Sequence, residues 1–107
     1  MKVAESGSDL GNEVGQVFIL RLFVAGTSPN SVRAITNIKA ICKKFLPKRY
    51  ELEIIDVHQQ AGKAAEEQII ALPMLVKKFP GTERRLIGDM SDTSKVLKGL
   101  GIKESAD

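Results

Sequence analysis

The sequence is poor in sulfur and in aromatic rings. Its 107 residues hold a single cysteine, Cys42, and no tryptophan. One thiol cannot build an internal disulfide framework, and this usage suits a reducing compartment, so a cytoplasmic location is expected. The single histidine, His58, cannot supply the usual ligand set of a zinc site. The aromatic residues are Phe18, Phe23, Phe45, Phe79 and Tyr50. They are not interleaved with basic residues, and no nucleic-acid motif is present, so nucleic acid is disfavoured as a partner. No apolar run nears the ~20 residues of a membrane span. The opening Met1-Lys2-Val3-Ala4-Glu5-Ser6 lacks the apolar stretch of a secretory leader, and no membrane association is expected.

What remains is enough for one small domain. About 43% of the residues are apolar, which supports one modest core. The net charge of +3 is unevenly spread. Residues 1–16 set Lys2 against Glu5, Asp9 and Glu13, for −2, leaving the rest of the chain at +5. A basic body favours acidic partners. The first 16 residues show no hydrophobic period and are expected to be a disordered tail. Residues 103–107 form a short polar tail, so the domain is expected over 17–102.

Val17 to Val24 is apolar except for Arg21, which suits a strand covered on both faces. Gly26, Thr27 and Ser28 end it, and Pro29 stands where the first helical residue belongs. Val32, Ile35, Ile38, Cys42 and Phe45 then recur at helical spacing. Pro47 stops this helix. Tyr50 to Val57 alternates like a strand half-exposed at its start. A strand, a helix and a strand joined this way make a crossover unit with parallel strands. Further on, Lys63 to Ile70 predicts a short helix, with Glu66 and Glu67 on its exposed face. Leu72 to Phe79, a turn at Pro80-Gly81-Thr82, and Glu83 to Gly88 predict a hairpin. Ser91 is expected to cap a last helix carrying Val96, Leu97 and Leu100. Gly99 and Gly101 would each cost that helix about 1 kcal/mol relative to Ala. The expected order is βαβαββα, an α/β domain.

Residues with chemical potential have quiet explanations. Cys42 lies on an apolar helical stripe, far from the helix N-terminus that would activate it. His58 follows a strand end near Asp56 without a third partner. Thr27 and Ser28 have no general base nearby, and Ser28 is placed to cap the helix. Lys77-Lys78 and Arg84-Arg85 flank one turn, so a hairpin would bring their charges together. Arg33 sits in the first helical turn, where the helix dipole disfavours a cation; this conflict hints at an acidic partner.

Two segments together resemble a thioredoxin-type domain: Ala25-Gly26-Thr27-Ser28-Pro29-Asn30-Ser31, and Ala71-Leu72-Pro73-Met74-Leu75. In such domains reactive cysteines occupy the first segment and a cis-proline the second. Here the first has no cysteine, which moves the expectation from catalysis to binding. Longer stretches resemble a particular family, the circadian-clock protein KaiB. They are Leu22-Phe23-Val24-Ala25-Gly26, Ser28-Pro29-Asn30-Ser31-Val32-Arg33-Ala34, Ile54-Ile55-Asp56-Val57, and Arg84-Arg85-Leu86-Ile87-Gly88-Asp89-Met90-Ser91-Asp92. The resemblance runs from about Val17 to Ile102.

This resemblance implies a non-catalytic regulator without a cofactor that binds a KaiC-type hexameric ATPase. It implies a homo-oligomeric ground state, ordered βαββααβ, that converts to a monomer with the thioredoxin-like order. It also implies partner-binding roles for Arg33, Lys77, Arg84 and Arg85, and conformational-switch roles for Pro73 and Gly99. The sequence departs from the family pattern at Phe18, at Leu72 and Met74 around Pro73, at Pro80-Gly81-Thr82 and at Gly99-Leu100-Gly101-Ile102. A thiol oxidoreductase, and an adaptor acting through another signalling partner, are the competing readings. In a bacterium without a clock, stress or metabolic signalling is the expected setting.

Overall fold

The computed structural model describes residues 16–102; the expected tails, apart from Gln16, lie outside the described residues. Seven elements follow in the expected order: β1 (Phe18–Val24), α1 (Pro29–Phe45), β2 (Tyr50–Asp56), α2 (Ala61–Glu66), β3 (Met74–Phe79), β4 (Arg84–Ile87) and α3 (Thr93–Leu100). The four strands form one sheet ordered β2-β1-β3-β4. β1 pairs parallel with β2 and antiparallel with β3, and β3 pairs antiparallel with β4. This is the thioredoxin-like βαβαββα arrangement, not the βαββααβ alternative.

Strand alternation divides the interior between the two faces of the sheet. Phe18, Leu20, Leu22 and Val24 of β1 join Leu75 of β3 on one face. They pack against Ala34, Ile38, Ile41 and Cys42 of α1 and Val96, Leu97 and Leu100 of α3. On the other face Phe23, Ile55, Met74 and Val76 form a smaller cluster under Ala64 and Ile69. Each fully buried Leu or Ile contributes roughly 1.5–3 kcal/mol of apolar transfer, so the larger cluster dominates stability.

Four local expectations are corrected. The stripe of α1 is rotated, because Ser31, Ala34 and Ile41 are buried whereas Val32 is 48% exposed. Ser31 enters the interior because its hydroxyl is used there, accepting a bond from Ala25 N at 2.9 Å. Asp92, not Ser91, caps α3, accepting from Lys95 N at 3.1 Å. Gly101 lies beyond α3 as its left-handed cap, φ 79°, where glycine carries no Cβ penalty. It therefore ends the helix instead of weakening its interior. The short helix begins earlier than expected, at Ala61, and stops at Glu66.

Candidate functional site

The loop after β1 is held by hydroxyls and backbone, with no thiol in it. Ser28 is the N-cap of α1, as expected, and accepts from Ser31 N at 3.3 Å. Its hydroxyl also bonds the Ser31 hydroxyl at 2.9 Å. Asp56, at the end of β2, accepts from Gly26 N at 3.2 Å and from His58 N at 2.9 Å. The carboxylate thus fixes the loop, and the exposed His58 packs beside Gly26. Pro73 is buried, its peptide bond to Leu72 is cis, and its carbonyl accepts from Gly88 N at 3.1 Å. Cys42 is wholly buried in the larger cluster, and desolvation pushes its thiol up to about 12. A thiol that stays protonated and covered is neither nucleophile nor redox centre.

The four expected partner-binding cations do not form one patch. Arg33 stands at the start of α1, where its Nε donates to Asp89 Oδ2 at 3.2 Å and its Nη2 bonds Asn30. Asn37 donates to the Asp89 carbonyl at 2.9 Å, so Asp89 ties the β4–α3 loop to α1. The Asp89 carboxyl is held below its ordinary range by hydrogen bonds from Ser91 and then by Arg33. The conflict of Arg33 with the helix dipole is thereby offset inside the molecule.

Lys77 and Arg84 are direct partners across the β3–β4 ladder and share the α1/α3 face. They line a groove of about 600 Å³ with Phe18, Leu46, Arg49 and Gly99. Lys77 is 6% exposed, and its ammonium bonds the Pro80 carbonyl. Burial, followed by the nearby Arg84, lowers its pKa. Arg85 faces the other way. It donates to the Glu67 carbonyl at 2.7 Å and to Glu83 at 3.1 Å. The hairpin therefore brings the charges together as two pairs on opposite faces.

Glu67 is the residue that sequence reasoning misplaced. Its side chain is 13% exposed and receives Arg21 at 2.8 Å, Lys78 at 3.0 Å and Arg85 at 3.7 Å. Glu66 alone is exposed as expected. The overlooked signal was Arg21, a cation inside an apolar strand whose desolvation favours a carboxylate partner; it meets Glu53 at 3.5 Å as well as Glu67. Gly99, inside α3, lies over Leu86 of β4: a Cβ there would meet Leu86 Cδ2 at 2.4 Å.

A four-stranded mixed sheet with this order and loop defines a thioredoxin-like domain. Fasciola hepatica thioredoxin superposes with a TM-score of 0.66 at 24% identity, over 86% of each chain. The N-terminal domain of Synechococcus elongatus SasA gives 0.64 at 27% identity, covering 86% of this chain and 90% of that one. The KaiB domain family matches residues 21–102. Circadian clock protein KaiB3 of Synechocystis sp. is 49% identical over 84 residues, 78% of this chain and 82% of that protein. Circadian clock oscillator protein KaiB of Prochlorococcus marinus is 45% identical over 87 residues, 81% of each. The chain belongs to the KaiB family.

Proposed function

We propose that this protein is a non-catalytic regulator that docks on a KaiC-type hexameric ATPase. Its redox scaffold then serves as a binding surface, in circadian timing or in stress and metabolic signalling. The observation that carries this reading is the loop after β1, where Ser28 caps the helix while the only cysteine is buried in the core. The kinship with clock proteins supports the choice of partner. Arg33, Lys77, Arg84 and Arg85 are the proposed contacts, with Lys77 and Arg84 forming one basic element and Arg85 another. Pro73 and Gly99 are the proposed switch positions between this arrangement and an oligomeric ground state.

Size-exclusion chromatography of the purified protein mixed with the KaiC-type ATPase of its own cell tests this. Co-elution with the hexamer is expected. Separate elution after prolonged incubation rejects it. The likeness to the SasA domain favours one second reading, an adaptor module that works through another signalling protein in the cytoplasm.

A further inference from the structure

The strands of the sheet carry five cations, and their surroundings differ. Arg21, Lys78 and Arg85 each reach a carboxylate. Lys77 and Arg84 reach none among the described residues, although they stand directly opposite each other across the β3–β4 ladder. Side chains so placed have Cβ atoms about 5 Å apart, and like charges there repel. Lys77 is moreover only 6% exposed, with the Pro80 carbonyl as its hydrogen-bond acceptor. A cation taken out of water without a counter-ion is costly. Two such charges side by side call for one anion between them.

The groove that both residues line gives the anion a place. Its volume of about 600 Å³ is that of a small-molecule site, and no acidic residue lines it among the described residues. Thr82 of the hairpin turn adds a hydroxyl, and Phe18, Leu46 and Leu100 add apolar wall. A guanidinium holds two oxygens of a phosphate in its plane, while an ammonium meets another as a point charge. Two cations match the nearly doubly negative charge of a phosphate monoester at neutral pH. The apolar wall matches an organic body attached to it.

We propose that this groove binds a small organic phosphate, its monoester head between Lys77 and Arg84 and its apolar body along Phe18, Leu46 and Leu100. The bound ligand then withdraws two of the cations assigned above to the partner. That consequence rests on the proposed function; the binding does not.

The probe is phenyl phosphate, titrated into full-length protein labelled with ¹⁵N at fixed ionic strength. Saturable shifts are expected in the amides of Gly81, Thr82, Gly99 and Gly101, which border the groove. Inorganic phosphate, which lacks the ring, is expected to bind about tenfold more weakly, the equivalent of roughly 60 Å² of apolar burial. Arg84→Gln should weaken phenyl phosphate about tenfold or more; Arg84 is exposed, so the fold survives the change. Lys77→Met should abolish saturation. Lys95→Gln, at an exposed position of α3 outside the groove, should bind like wild type. Shifts that never saturate, that sodium chloride reproduces, or that Arg84→Gln and Lys95→Gln reduce alike overturn the site. Equal affinity for the two phosphates overturns the organic ligand. The ATPase is absent from every arm, so this failure is distinct from a failure to dock on it.

Discussion

Leu86 packs so closely on Gly99 that a single methyl group at position 99 would fall 2.4 Å from Leu86 Cδ2 and 2.9 Å from Cδ1. Strand β4 and helix α3 meet here. Gly99→Ala gains about 1 kcal/mol of helix propensity but overpacks a contact, which costs roughly 1–3 kcal/mol. A net loss of about 1 kcal/mol is expected in urea unfolding. Leu86→Ala in the Gly99→Ala background should make the alanine neutral or stabilising. An equal effect of Gly99→Ala with and without Leu86 would show that the contact is not responsible.

Glu67 and Glu66 are neighbours with opposite fates. Glu67→Gln removes a carboxylate shared by Arg21, Lys78 and Arg85. A loss of about 2 kcal/mol is expected, because hydrogen bonds to charged groups contribute roughly 1.5–3 kcal/mol each and the cations can turn partly to solvent. Glu66→Gln should be silent within about 0.5 kcal/mol. Equal effects in denaturant titrations of the two variants would contradict the geometry.

Cys42 gives the protein an alkaline weakness. Its folded pKa of about 12 exceeds the ordinary 9.0, so between these values the folded state holds a proton that the unfolded state releases. Stability from this group is complete below pH 9 and falls as pH rises toward 12, by about 1.4 kcal/mol per unit. Lys77, whose folded pKa is lowered, acts in the opposite direction below 10.5. Urea midpoints of wild type and Cys42→Ala across pH 8.5 to roughly 10.5 should diverge, the variant losing less. Thiol reagents should label native Cys42 only on the timescale of unfolding.

Acid should weaken the protein through Asp89 and Glu83. The Asp89 carboxyl is held down by hydrogen bonds from Ser91 and then by Arg33, and that of Glu83 by Arg85 and then Lys78. Both folded pKa values are lowered, so this stability is present above the ordinary 3.8 and 4.5 and is lost as pH falls through the folded values. Asp89→Asn should flatten the acid limb of a Tm-against-pH curve. An unaltered limb would mean that other carboxylates set it.

The framework was legible because its signals are local. VFILRLFV before Gly-Thr-Ser-Pro reads as a buried strand feeding a capped helix, and the alternation of Tyr50, Leu52 and Ile54 marks the parallel partner. Less legible was what depends on distant residues. The burial of Ser31 follows from a bond to Ala25 that no helical period encodes. Glu67 looked exposed because its three cations come from β1, β3 and β4. The candidate cations read as one surface because sequence pairs Lys77 with Lys78 and Arg84 with Arg85, while the pleat sends adjacent residues to opposite faces. The close approach of Leu86 to Gly99 likewise requires α3 to lie across β4.

Biolayer interferometry against an immobilised KaiC-type ATPase reaches the central claim most directly, comparing wild type, Cys42→Ser and Arg84→Glu. If the protein works through its charged surface and not through sulfur, Cys42→Ser binds like wild type and Arg84→Glu loses about tenfold or more in affinity. Binding that depends on the thiol and ignores the reversed charge at position 84 would contradict the account.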